Sequence, residues 1–203
     1  MSPEHIRVIT VLYLSALVPL LLVVVLDRQR RLPRWVLPVY AASFVVCAIG
    51  WEIWFTYGLV AGDPVNLRRG PELNQAIPIH LNWILNSLAD AGSICLPGLL
   101  LVRLVIGDPA KVFRRWHWGA FGLILFWFVI QNVLVEMFLY HDQLSEGRSL
   151  SWAPFAPTAP WFNPTLFAFN DRTITLQGQL PWLAMAPLFC GALLLYFQKR
   201  RNS

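Results

Sequence analysis

The sequence predicts an all-α membrane protein, a polytopic bundle of five transmembrane helices that occupies the whole chain, residues 1–203, as a single domain. Apolar residues make up 57% of the chain and charged residues only 13%, against about 25% charged residues in a typical soluble protein. The mean hydropathy is +0.54. In addition, five separate apolar runs each approach the roughly 20 residues that a spanning helix needs.

The five apolar runs define the predicted spans in chain order. The first run, 6–26, is followed by four arginines and lacks a small-residue cleavage site, so we expect it to be retained rather than removed as a signal peptide. The other runs are rich in Val, Leu, Phe and Trp, and segments with Pro, Gly and charged residues separate them. They are placed at 36–60, 79–106, 118–140 and 181–198.

Basic residues predict the orientation of the bundle. Eleven of the 16 Lys and Arg residues fall in the segments 28–34, 103–115 and 199–201. With five spans, all three segments lie on the same side, which the positive-inside rule assigns to the cytoplasm. The N-terminus is therefore predicted outside and the C-terminus in the cytoplasm, in a multi-pass protein of a cell membrane, with a bacterial inner membrane as the expected location.

Polar residues interrupt three of the predicted spans, where a carboxylate costs about 2.5–3.5 kcal/mol on insertion scales. They are Glu52 in the second span, Asn82, Asn86 and Asp90 in the third, and Asn132 and Glu136 in the fourth. Steps of four place the members of each set on one face of their helix. We therefore expect these side chains to face the bundle interior or a wet cavity.

The depths of the three acids suggest a chemical role. At a rise of 1.5 Å per residue, Glu52, Asp90 and Glu136 all fall in the outer half of the membrane, where no basic residue of the spans is expected. Carboxyl groups crowded in a dry site without cations do not all ionise. One would remain an acid beside a carboxylate held by Asn amides, which makes an acid/base pair. The alternative is that these groups only join helices through hydrogen bonds.

Aromatic residues surround the acids in sequence or in estimated depth. Ten Trp is a high count for this length, and the alternative to a pocket wall is an interfacial aromatic belt. Aromatic faces can stabilise a carbocation or line a pocket for a flat apolar ligand. The candidate substrate-contacting aromatics are Trp51, Trp54, Tyr57, Trp83, Trp127 and Trp161, and Asn82, Asn86 and Asn132 are the candidate polar contacts.

Two loops are predicted on the outer side, over the polar residues. Loop 141–180 contains several prolines and many aromatics, which disfavours a continuous helix and indicates a folded cap with Trp161 as part of the plug. Loop 61–78 forms the second part of this roof. Its Arg68 and Arg69 are expected to meet Asp142, Glu146 or a lipid phosphate.

Other chemistries find little support in the sequence. Cys47, Cys95 and Cys190 lie within spans without CxxC spacing and are interpreted as small buried hydrophobes. No clustered histidine motif predicts a metal site, and no cofactor is expected. The basic residues form no stripe interleaved with aromatics, so a nucleic-acid partner is not expected.

One family resemblance follows from these residues. A five-span chain near 200 residues with acids and Trp in the outer halves of its helices resembles the sterol-isomerase-like membrane fold. The pair Trp51-Glu52, followed by Tyr57, resembles the acid-bearing helix of small integral-membrane terpene cyclases. The resemblance implies that Glu52 is a proton donor, with Asp90 or Glu136 as its partner.

Two classes of function therefore remain open. The first is a membrane enzyme, a terpene cyclase or double-bond isomerase, which uses buried carboxylic acids for proton transfer on a lipophilic isoprenoid-type substrate. The second is a non-catalytic subunit that binds a pigment, a quinone or a lipid in a larger membrane complex. The expected partners are a lipophilic small molecule and membrane lipids, with other membrane proteins in the second class.

Overall fold

The structure is a computed structural model that describes residues 1–58, 63–145, 148, 163–169 and 172–199. Five helices in these ranges are long and apolar enough to span a membrane, which confirms the predicted five-helix bundle. They are α1 (Pro3–Arg28), α2 (Val36–Tyr57), α5 (Ile79–Val105), α7 (Trp118–Gln143) and α8 (Leu176–Lys199). The shorter elements are α3 (Val65–Arg68), α4 (Pro71–Ala76), α6 (Pro109–Val112) and the strands β1 (Thr165–Phe169) and β2 (Arg172–Thr175).

Among the helix ends that differ from the predicted bounds, two have a clear local reason. Helix α2 ends at Tyr57 rather than near 60, because Gly58 adopts a left-handed φ of 63°, a conformation that glycine tolerates without strain. Helix α8 begins five residues before the predicted start. Polar side chains cap its first turn, since Asn163 Oδ1 accepts from the Gln177 N–H at 3.0 Å.

Helix α5 is the centre of the bundle and contacts α1, α2 and α7, while α8 packs along α7. The approach of α1 to α5 depends on Gly92, because a Cβ at this position would lie 2.5 Å from Cβ of Pro19. The larger core lies between α2, α5, α7 and α8 and includes Cys47, Leu99 and Phe128. Large apolar side chains on the outward faces of the same helices are exposed, and lipid tails would cover such surfaces.

The predicted cap over 141–180 is described only in part. Helix α7 continues to Gln143, and β1 pairs with β2 as an antiparallel hairpin in which Phe169 lies opposite Arg172. This hairpin is an addition to the predicted all-α fold. Trp161, predicted as part of the plug, lies outside the described residues.

An acidic residue at the end of α7 ties the hairpin to the bundle. The Asp142 side chain is fully buried and accepts hydrogen bonds from Arg7 of α1 and from Arg172 of β2. Arg172 also donates to the carbonyl oxygen of Met137. The expectation that Arg68 or Arg69 pairs with Asp142 is therefore wrong, because those two arginines turn into the bundle.

Candidate functional site

A cavity of about 240 Å³ lies between the five long apolar helices and the segment that carries α3 and α4. This volume is slightly below the roughly 300–1,000 Å³ of typical small-molecule sites. Along α5 the lining runs from Asn82 to Ile94, which is about 18 Å at the rise of an α-helix. The cavity is therefore long enough to hold an extended ligand parallel to the helices.

Each of the three acids predicted as catalytic, Glu52, Asp90 and Glu136, lies in a π-helical turn. These turns are Ala48–Glu52 in α2, Asp90–Cys95 in α5 and Glu136–Tyr140 in α7. Single π-helical turns inside α-helices are rare and occur frequently at functional sites. Each of the three π-helical turns therefore contains one of these acids, and the regular α-helical hydrogen bonding is interrupted at that position.

Indole groups from neighbouring helices support two of these turns. Trp83 Nε1 of α5 donates to the Ala48 carbonyl at 2.8 Å, at the start of the turn in α2. Trp127 Nε1 of α7 donates to the Ile94 carbonyl at 2.9 Å, inside the turn of α5. The indoles thus add a donor to a carbonyl group of each turn, and the Ala48 carbonyl also accepts from the Ile53 N–H.

Glu52 and Asp90 face the same cavity from adjacent helices. Glu52 is buried, and its carboxyl group is close enough to interact electrostatically with Asp90 and Arg68. The indole Nε1 of Trp51 donates to Asp90 Oδ2 at 2.9 Å. The two predicted acids therefore form a pair, with one of them held by a neutral donor.

Glu136 occupies a different position. It is fully buried but does not line the cavity, and its Oε2 accepts from Gln179 Nε2 at 2.6 Å. Its carboxyl group lies against Gly178, where a Cβ would come within 2.7 Å of Oε2. These contacts place it at the N-terminal turn of α8, where the helix dipole favours negative charge. The structure thus gives Glu136 a helix-joining environment.

The predicted asparagines line the cavity and are held by neighbours. Asn82 Nδ2 donates to Thr56 Oγ1 at 3.1 Å, and Asn86 Nδ2 donates to the Asn82 carbonyl at 2.9 Å. Asn132 Nδ2 donates to the Gly178 carbonyl and to Gln179 Oε1, each at 2.9 Å. The amides therefore rigidify the polar wall.

The predicted aromatics divide into two groups. Trp51 and Trp127 line the cavity, whereas Trp54, Tyr57 and Trp83 do not. Tyr57 shares a hydrogen bond of 2.8 Å with His80 instead, towards the end of the bundle.

Sequence reasoning missed one aromatic of the cavity wall. Trp182 of α8 lines the cavity and meets the Trp51 ring edge-on at 5.1 Å. Trp182 is the second residue of the predicted fifth span, 181–198, and a Trp at the end of a span is typical of an interfacial belt. Together with Trp51 and Trp127 it forms an aromatic floor, the name used below for these three residues.

Two arginines that were predicted in the roof are also part of the site. Arg68 and Arg69 are buried and line the cavity. Arg69 donates from Nε to Asn74 Oδ1 and from Nη1 to Asn82 Oδ1, each at 2.9 Å, and from Nη2 to the Ile77 carbonyl. The prediction concerned basic residues of the spans, whereas these arginines come from the segment between α2 and α5, and Arg68 lies close enough to interact with Glu52.

Burial changes the electrostatics of these arginines. It lowers the pKa of the Arg68 guanidinium and lowers the pKa of Arg69 to about 10, with the Arg68 charge as a second cause. Both remain cations at neutral pH. The sequence shows Arg68 and Arg69 only as a pair of arginines in a turn-rich segment. Such a pair is equally typical of a solvated surface, so their burial could not be predicted.

Tyr140 is a further cavity residue that the sequence reasoning missed. Its phenol group lies near all three acids and Arg68. It lies in the third π-helical turn and so connects the Glu136 environment to the cavity. Within the described ranges no group of three or more His, Cys, Asp or Glu side chains could hold a metal ion.

Comparisons with known proteins add no assignment to this geometry. No family model matches the chain, and the searches of curated proteins and of solved structures find no significant match.

Proposed function

We propose that the chain is a membrane enzyme that transfers protons to and from a lipophilic isoprenoid-type substrate, in a cyclisation or a double-bond isomerisation. The observation that carries the proposal is the pair Glu52 and Asp90, which face one cavity from two π-helical turns. Glu136 is left out of the catalytic pair because it does not line the cavity.

The hydrogen bond from Trp51 supports Asp90 as the base. A donor to a carboxylate favours the charged form of that group, and Trp51 donates to Asp90. In the proposed reaction Glu52, the donor that the resemblance implies, gives its proton to an alkene carbon, which forms a C–H bond and leaves a carbocation. Asp90 then removes a proton from a neighbouring carbon, so a double bond is restored. One proton has entered the product and one has left it.

The aromatic floor suits the intermediate of this reaction. Trp51 and Trp182 pack edge-on at 5.1 Å, and Phe128 supports Trp182 with centroids 5.0 Å apart. Indole faces attract a cation within about 6 Å of the ring centroid. Trp51 precedes Glu52 in the chain and donates to Asp90. A carbocation beside these two acids would therefore lie close to the rings of the aromatic floor.

The proposed topology sets the depth of the two ends of the cavity in the membrane. With the N-terminus outside and the C-terminus in the cytoplasm, as the basic segments predict, the arginine end of the cavity lies towards the outer surface of a cell membrane. The aromatic floor then lies deeper in the bilayer, where an apolar chain is expected.

The test compares three amide variants. The wild-type chain, Glu52→Gln and Asp90→Asn are expressed in cells that are fed farnesol, geranylgeraniol or squalene, and the lipids are analysed by mass spectrometry. Each cavity variant should lose turnover by about 10²–10⁴-fold, the usual effect of removing a general acid or base. Glu136→Gln is the matched control, because it changes an equally buried carboxyl group outside the cavity. Undiminished product in both cavity variants would refute the acid/base proposal.

A second function rests on the same aromatic floor. Three indole rings beside fixed amide groups would also bind a pigment, a quinone or a lipid without proton transfer, as in a non-catalytic subunit of a larger complex. In that case a compound that co-purifies with the wild-type chain should be recovered chemically unchanged. It should also remain bound to Glu52→Gln and Asp90→Asn.

A further inference from the structure

Arg69 is a buried cation whose hydrogen bonds all go to neutral groups. Its three acceptors are two asparagine side-chain oxygens and one backbone carbonyl oxygen. Within the described ranges no carboxylate lies within salt-bridge distance of it. Arg69 is only 4% exposed, and the residue lines the cavity.

Among the described residues, Arg69 has no counter-charge of the kind that buried charges usually have. Buried cations in proteins are generally paired, because removing a charge from water costs several kcal/mol. The neighbouring Arg68 lines the same cavity and adds repulsion. A guanidinium group carries five N–H donors, and the three acceptors named above use three of them. Two N–H groups of Arg69 are therefore left for a ligand.

The position of Arg69 along the cavity sets the shape of that ligand. Its contact with Asn82 places it near one end of the lining on α5. Asp90 lies eight residues further along, which is about 12 Å at the rise of an α-helix. The aromatic floor begins at the level of Asp90, because Trp51 bonds to it.

We propose that Arg69 binds the anionic head group, a carboxylate or a phosphate, of an amphiphilic ligand. The apolar chain of this ligand extends past Glu52 and Asp90 to the aromatic floor. This inference rests on the proposed function for the reaction, but the head-group site is a separate claim. It narrows the substrate class from any lipophilic isoprenoid to an anionic amphiphile whose reactive bond is about 12 Å from the charge.

Two probes with the same chain and different head groups test the site. Oleate and oleyl alcohol are titrated against the purified full chain in a non-ionic detergent, and their Kd values are measured by calorimetry. The wild-type chain should bind oleate about 10-fold or more tightly than oleyl alcohol, because hydrogen bonds between charged groups exceed those to a neutral hydroxyl. Equal affinities for the two probes would overturn the proposal.

Variants locate the effect at Arg69. Arg69→Gln should bring the ratio of the two Kd values close to one, while Arg69→Lys, which keeps the charge, should retain most of it. Arg115→Gln removes an exposed arginine and is the matched control, with an unchanged ratio expected. A full preference for oleate in folded Arg69→Gln would overturn the assignment.

If the Arg69→Gln variant does not fold, a photolabelling experiment on the wild-type protein tests the site instead. A fatty acid with a diazirine in the middle of its chain is photolysed on the wild-type protein, and the labelled peptides are identified. Label within residues 86–94 supports the proposed pose. Label confined to the outward faces of the helices contradicts it.

Two further measurements identify the source of the anion and distinguish failure of the head-group site from failure of the proposed function. In phosphatidylcholine nanodiscs, competition of phosphatidic acid with oleate identifies a membrane lipid as the natural occupant, and no competition identifies a free amphiphile. Both results support an anion site. Preferred binding of oleate without proton transfer to any substrate would count against the proposed function alone. Proton transfer with equal binding of both probes would count against the head-group site alone.

Discussion

The contact between Glu136 and Gly178 allows a prediction whose size follows from the structure. In Gly178→Ala the new Cβ would lie 2.7 Å and 2.8 Å from the two carboxylate oxygens of Glu136 and 3.0 Å from its carboxyl carbon. All three distances are well inside ordinary van der Waals contact. Since Glu136 is fully buried and bonded to Gln179 at 2.6 Å, neither side can move freely.

The cost of this substitution can be bracketed. If the carboxylate moves away, a charged hydrogen bond worth about 1.5–3 kcal/mol is lost; if it stays, overpacking costs about 1–3 kcal/mol. The gain in helix propensity from Gly to Ala returns at most about 1 kcal/mol. The net loss in the free energy of unfolding should be about 1–2 kcal/mol, or about 2–8 °C in Tm for a chain of this size.

Thermal unfolding in detergent, followed by Trp fluorescence, measures the effect. Gly191→Ala is the matched control in the same helix, because a Cβ there would meet no atom within 4 Å, and its Tm should stay the same or rise. In a Glu136→Ala background the Gly178→Ala step should cost nothing. A Tm for Gly178→Ala that equals that of Gly191→Ala would show that Glu136 does not occupy the position described.

Three further predictions concern the contacts of Asp142, the indole donor Trp51 and the orientation of the chain. Replacing Asp142 by Ala should lower stability by about 1–3 kcal/mol, below the 3–5 kcal/mol of a fully buried pair, because its partner Arg7 is 47% exposed. Thermal unfolding measures this, and an unchanged Tm would show that Asp142 does not tie the hairpin to the bundle. Trp51→Phe should reduce turnover at least 10-fold while Trp127→Phe reduces it less, since only the former bonds to a carboxyl group; equal product yields in the two variants contradict the role of that bond. A reporter enzyme fused after residue 203 should be active only in the cytoplasm and one inserted near residue 149 only outside, and the reverse pattern overturns the proposed orientation.

The spans were predictable because burial of about 20 apolar residues is a local property of the sequence. The ends of these helices were harder to predict. The end of α2 depends on the left-handed conformation of Gly58, and the start of α8 depends on Asn163, which lies fourteen residues before the residue that it caps. Neither hydropathy nor the position of Pro181 reveals such a cap.

The acids and amides of the site followed from helix periodicity, which places Asn82, Asn86 and Asp90 on one face. The burial of Arg68 and Arg69 could not be predicted from helix periodicity, because it depends on hydrogen-bond acceptors that lie on other elements. Asn74, Asn82 and the Ile77 carbonyl meet Arg69 only after the segment with α3 and α4 has folded back over the bundle. The π-helical turns were equally invisible, since their carbonyl groups are supported by indoles from neighbouring helices.

The central claim is that Glu52 and Asp90 exchange protons with a substrate in the cavity. Its most direct test is to incubate the purified chain with each candidate isoprenoid in D₂O and to measure deuterium bound to carbon in the recovered compound by mass spectrometry. The wild-type chain should introduce one deuterium per turnover, and Glu52→Gln and Asp90→Asn should each abolish it, while Glu136→Gln should not. A product formed by the wild-type chain without deuterium, or deuterium incorporation at the wild-type level in both cavity variants, would contradict the claim.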